Sequence, residues 1–230
     1  MESAAQKRRL FLVRALAAGL FCGAAPAVRG QLLGKVPAEL PPGTSFYDIH
    51  GEVSVNGAPA TLRSRIAAND TVSTGRNSQA IFVVGKDAFL LRENSAFSMS
   101  GSGALVEVMR LATGAVLSVF GKGRHQLSTP TATAGIRGTG IYVESRPDQS
   151  YVCTCYGTTE IVAPGNAERE TIESRHHDSP RYILGTGENR IRPAPFIDHT
   201  DEELTLIEAL VGRTPPFALF DSSYGGARRY

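Results

Sequence analysis

What most constrains the fold of this chain is the spacing of its turn residues. From Thr44 to about Ile183, Gly, Asn and Asp recur every ten or so residues, and the runs between them are rich in Val, Ile, Phe, Thr and Tyr. No apolar period of 3.6 residues is sustained there, so the pattern reads as short β-strands. Glu52-Val53-Ser54-Val55 alternates and runs into Asn56-Gly57, a two-residue hairpin signal whose members tolerate positive φ. Further strands are expected at Gln79–Val84, Ala88–Leu91, Ala96–Ser100, Leu105–Leu111, Ala115–Phe120, Arg124–Ser128, Gly140–Glu144, Tyr151–Tyr156, Thr158–Val162 and Arg181–Leu184. No helical crossover separates them, which excludes a doubly wound α/β fold. The expectation is an all-β domain over 44–188, built as a single β-solenoid, β-roll or sandwich.

Both ends read differently. Residues 7–27, KRRLFLVRALAAGLFCGAAPA, place a basic patch before an apolar run and Ala25-Pro26-Ala27, the order of a signal peptide cleaved after Ala27. Arg8-Arg9-Leu10-Phe11-Leu12 matches the twin-arginine form of such leaders, with an ordinary secretory leader as the alternative. Arg14 interrupts the apolar window, which favours cleavage over anchoring, and Phe21 before Cys22 argues against lipidation. The expected location is therefore periplasmic, with membrane contact only through an uncleaved leader. Residues 28–43 read as a loop. At the other end, within 189–230, a linker containing Pro193 and Pro195 precedes Thr200-Asp201-Glu202-Glu203, a capping box that opens a short helix over 200–211. Leu204, Ile207, Leu210 and Val211 mark its apolar face, Gly212 stops it, and the tail beyond Pro216 reads as loosely ordered. The net charge of +2 comes from the leader, leaving the remainder close to neutral, so no basic surface for nucleic acid is expected.

Several segments stand in a recognisable order: Gly51–Gly57, Asp70-Thr-Val-Ser-Thr-Gly75, Gln79–Val84, Phe89-Leu90-Leu91, Leu111-Ala-Thr-Gly114 through Val119, Ser128-Thr-Pro130 through Ala134, Gly135-Ile-Arg-Gly138-Thr139, and a strand pair reaching Tyr156-Gly157. Over roughly residues 44–163 the chain resembles a FecR domain. The resemblance implies an exported β-solenoid or β-roll. In the named members it also implies relay of an outer-membrane siderophore-uptake signal to a sigma factor. Those members carry a cytoplasmic anti-sigma segment and a membrane helix ahead of the domain. Here a leader of about 27 residues is expected instead, so the expectation is a non-enzymatic extracytoplasmic binding or sensing module. Its partner would be an envelope protein met through a sheet edge or exposed loops. Gly135–Gly140 reads as tight turns rather than a phosphate loop, because no helix follows to supply an anion site.

The remaining chemistry lies in cysteine and histidine. Cys153 and Cys155 stand two apart on an expected strand, so both side chains leave one face. Their α-carbons should be roughly 6.6 Å apart, the upper edge of what a disulfide spans, so a bond demands a bend or bulge. A strained disulfide, a two-thiolate metal site and two packed thiols all remain open, with an oxidising compartment favouring the disulfide. His176-His177 follow some twenty residues later, and on an extended segment only one of them, here taken as His177, could join the cysteines. Two thiolates and an imidazole suit zinc, copper or iron, with His125, solvent or a partner completing the shell. His50 and His199 read as isolated. No nucleophile elbow, metalloprotease or nucleotide-binding motif is present, so no catalytic residue is expected. A thiol-dependent metal or redox protein is thus the second functional reading, and a glycan-binding envelope scaffold the third.

Overall fold

The computed structural model describes residues 36–166 and 168–219. The leader, Cys22 and the tail from residue 220 lie outside the described residues. The described chain is all-β with one short helix. Its strands are β1 (Phe46–His50), β2 (Val53–Val55), β3 (Ala58–Pro59), β4 (Thr71–Thr74), β5 (Gln79–Val84), β6 (Asp87–Leu91), β7 (Ala96–Ser102), β8 (Leu105–Val119), β9 (His125–Ser128), β10 (Thr133–Ser145), β11 (Gln149–Val162), β12 (Arg169–Ser174), β13 (Arg181–Leu184) and β14 (Ile191–Pro193), followed by helix α1 (Asp201–Ala209). No helix among the described residues is long and apolar enough to cross a membrane.

The fourteen strands join one sheet, almost wholly antiparallel, in which three long strands change neighbours halfway along. The first half of β8 lies between β7 and a parallel β9, and its second half between β6 and β10. β10 meets β9 and then β8, while β11 meets β13 and then β12. The sequence pattern divides β8 and β10 at their glycines, and the structure runs through them. Gly114 takes φ +87°, and a Cβ there would lie 2.1 Å from Ser95 Oγ, so only glycine lets the strand continue against its neighbour. Gly135–Gly140 likewise lies inside β10, with Gly138 at φ +56°, rather than forming the expected tight turns. The Asn56-Gly57 hairpin is as expected: Val55 pairs with Ala58 and both turn residues have positive φ (52° and 80°), the geometry of a type I′ turn.

One face of the sheet carries a chain of phenylalanines. Ring centroids are 5.1 Å apart for Phe82–Phe89, 5.4 Å for Phe89–Phe97 and 6.0 Å for Phe89–Phe120. The other face gathers Ile81, Leu90, Leu117, Val119, Tyr142, Tyr151, Cys153 and Cys155. β5 and β6 are buried on both faces, which is why they read as continuous apolar runs instead of alternating. Leu204, Ile207 and Leu210 of the C-terminal segment, each at most 1% exposed, cover this second face. The expected capping box is formed: Glu203 N–H donates to Thr200 Oγ1 (3.3 Å) and Thr200 N–H donates to Glu203 Oε2 (3.1 Å). The expected linker contains β14, which pairs with β13 and so brings the chain alongside β11 before α1 begins.

Candidate metal centre

The site begins with a defect in strand pairing. Along β11, Gln149–Val152 pair with β13 and Gly157–Val162 pair with β12, leaving Cys153–Tyr156 without a strand on that edge. The turn between β12 and β13 fills the gap, and His177 N–H donates to the Cys155 carbonyl at 2.9 Å. Asp178 shapes this turn by accepting Arg175 N–H at 3.0 Å, while its own N–H donates to Ser174 Oγ at 2.9 Å. His177 takes φ +53°, and its ring packs 4.8 Å from that of His176 while its Nδ1 faces Cys153 Sγ. On the β10 side the register passes from Ile141↔Thr154 to Gly140↔Tyr156, so β11 holds one extra residue at this step, a β-bulge at Cys155.

Four donor atoms meet here: Cys153 Sγ, Cys155 Sγ, His177 Nδ1 and His199 Nε2 all lie within 4.8 Å of one another. Cys153 Sγ is 3.6 Å from His177 Nδ1, Cys155 Sγ is 3.5 Å from His199 Nε2, and the two ring nitrogens are 3.1 Å apart. Both cysteines are free thiols with no solvent exposure, and His199 is 2% exposed.

The outer hydrogen bonds fix which nitrogen of each ring faces inward. His199 Nδ1 lies 2.7 Å from the Ile197 carbonyl, which only accepts, so Nδ1 carries the hydrogen and a neutral ring presents the Nε2 lone pair to the cluster. His177 Nε2 lies 2.9 Å from Asp201 Oδ1, so that nitrogen donates and a neutral ring presents Nδ1 inward. Two imidazole lone pairs facing each other at 3.1 Å repel unless a proton or cation lies between them. Without a metal the proton is the solution. Asp201 and the Cys153 sulfur overcome burial to push His177 up to about 9. The hydrogen bond from Cys155, aided by the two histidines against burial, brings Cys153 down to about 4. Burial and the neighbouring Cys153 push the Cys155 thiol up. In the metal-free centre these shifts favour a proton on His177 and negative charge on Cys153 over Cys155.

Three of the donor separations match the edges of a tetrahedral site. Metal–sulfur bonds of about 2.3 Å and metal–nitrogen bonds of about 2.0–2.1 Å place sulfur and nitrogen roughly 3.5 Å apart, and two nitrogens roughly 3.3 Å apart. The observed 3.6, 3.5 and 3.1 Å are close to those edges.

Of the residues named from sequence, Cys153, Cys155 and His177 come together. His176 turns outward, with Nε2 2.8 Å from Asp201 Oδ2 and its ring stacked on Phe217. The structure adds His199 and Asp201. Their only sequence signal is that they flank the Thr200 cap, which fixes both at the start of α1. His125, the expected further ligand, is not part of the cluster: Nδ1 lies 2.7 Å from the Val106 carbonyl and its ring packs 4.7 Å from that of Phe120. It sits instead near Asp87, whose carboxyl burial holds above the usual range despite a bond from Gly121 N–H and the charges of His125 and Arg213. The folded state therefore binds that proton more tightly than the unfolded chain, and stability falls as pH rises from the ordinary carboxylate range through the raised value. Asp87→Asn keeps an acceptor for Gly121 and should raise the thermal midpoint at neutral pH, with the gain vanishing below about pH 4, as melts at the two pH values would show.

No family model and no curated protein matches the chain. Among solved structures it is similar to two crystal structures, at 1.65 and 2.50 Å, of a proposed anti-sigma factor from Parabacteroides distasonis. Identity is 9% in both, the TM-scores are 0.46 and 0.45, and the match covers 54% of this chain and 58% of the other. The match thus spans less than two thirds of those neighbours.

Proposed function

We propose that this chain is an exported, non-enzymatic β module of FecR type, with one zinc-class divalent ion held by Cys153, Cys155, His177 and His199. The convergence of the four donors carries the metal reading: two sulfurs and two inward-facing ring nitrogens lie within 4.8 Å of one another, with two sulfur–nitrogen separations and the nitrogen–nitrogen separation near tetrahedral edge lengths. Asp201 and the Ile197 carbonyl supply the outer hydrogen bonds that metal-bound histidines require. Four protein ligands leave no open position, which is the pattern of a structural ion rather than a catalytic one. Cys153, His177 and Asp201 also line up as a nucleophile, a base and its orienting acid. Complete burial of the Cys153 thiol speaks against approach of any substrate much larger than water, and this supports the non-enzymatic reading.

Elemental analysis of protein isolated without chelators tests the metal reading. One equivalent of metal per chain is expected, absent from the Cys153→Ser/Cys155→Ser double variant. A wild-type chain that stays metal-free even after incubation with zinc would overturn it. The order of FecR-like motifs supports the signalling part, in which an envelope protein is the partner. Capture of one envelope protein by the bait from detergent extract is expected, and a bait that retains none counts against it.

A further inference from the structure

We propose that Cys153 and Cys155 are also a modification site: a peroxide-class oxidant converts the two thiolate ligands into a disulfide and expels the ion. This rests on the metal reading above. The two sulfurs are near neighbours within the 4.8 Å cluster and leave the same face of β11. On a regular strand, residues two apart sit at the far limit of disulfide reach. The β-bulge at Cys155 supplies the local bend that a bond between them needs. That edge of β11 is held by a turn rather than a strand, so the β10 ladder alone pairs the backbone as a strand there.

The oxidant's route is short. On the outer side of the cluster lie the His177 side chain, 9% exposed, and Asp201, 44% exposed. Phe196 lies over both imidazoles at ring-centroid distances of 4.5 Å, is 49% exposed, and belongs to an irregular link between β14 and α1. Displacing that ring opens the cluster to a molecule little larger than water.

The chemistry balances as follows. One thiolate attacks a peroxide oxygen, the O–O bond breaks, hydroxide leaves, and a sulfenic acid forms on that sulfur. The second thiolate attacks the sulfenic sulfur, the S–S bond forms and a second hydroxide leaves. Two electrons pass from sulfur to peroxide, and the divalent ion departs with the two hydroxides, because a disulfide no longer offers anionic ligands. A thiol reductant returns the two thiols and restores the site.

The test uses the zinc-loaded chain treated with hydrogen peroxide, with a colorimetric chelator reading ion release and mass spectrometry reading the peptide that carries both cysteines. Expected are release matched by loss of two hydrogens from that peptide, recovery of zinc binding after reduction, and several-fold faster release in Phe196→Ala. Zinc retained under peroxide, or a peptide that gains oxygen atoms instead of losing hydrogens, overturns the proposal while leaving the metal reading intact. A chain that never binds zinc overturns the metal reading and the ion release together, whatever its thiols do.

Discussion

Wild-type chain should be isolated with its ion, and His199→Ala without it. His199 supplies one of four donors, and its loss leaves two thiolates and one imidazole, one ligand short of the closed set. Asp201→Asn gives the graded counterpart. The carboxylate that receives His177 Nε2–H and His176 Nε2 becomes an amide, so the His177 ring loses orientation and basicity while every ligand stays in place. An outer-sphere change of this kind weakens metal binding by about 10–100-fold, and loss of His199 should exceed that. Competition against a chromogenic chelator measures both. An ion that binds only the folded state also adds stability, roughly 2.7 kcal/mol when its free concentration is a hundred times the dissociation constant. Chelation should therefore lower the thermal midpoint of wild type and leave that of His199→Ala unmoved.

The second large effect lies on the opposite face of the sheet. Phe89 is fully buried, with its ring 5.1 Å from Phe82, 5.4 Å from Phe97 and 6.0 Å from Phe120. Phe89→Ala removes the member common to three aromatic contacts, and its neighbours Phe82 and Phe97 belong to strands that cannot close the void without breaking ladder bonds. A loss of about 3–5 kcal/mol is expected, read as a lower urea midpoint at unchanged slope. Phe196→Ala is the comparison: at 49% exposure the same deletion should cost far less. Equal losses in the two variants would show that the phenylalanine chain is not the centre of the core.

How much of this was legible in sequence depends on the range of the interaction. The Asn56-Gly57 turn and the Thr200 capping box are settled within four residues, and both form as read. Glycine inside a strand pattern usually marks a break, so the sequence pattern divides the long strands β8 and β10. Here Gly114 takes a positive φ where β8 passes from β7 to β10, and the Gly138–Gly140 step absorbs a bulge against β11, which no local pattern reports. The site follows the same division. Cys153 and Cys155 share a face by strand alternation, so their pairing is visible in six residues of sequence. His199 stands 44 residues further on. It reaches Cys155 only because β13 and β14 carry the chain back along β11 before α1 caps, and that topology has no local signature. His125 shows the converse: a histidine in a strand can be satisfied wholly by a backbone carbonyl and an aromatic neighbour.

X-ray absorption at the metal edge of the isolated wild-type chain addresses the central claim most directly. Two sulfur neighbours at about 2.3 Å and two nitrogen neighbours at about 2.0–2.1 Å, with imidazole scattering beyond them, are the result this account predicts. A shell of oxygen and nitrogen alone, with no sulfur, would contradict it.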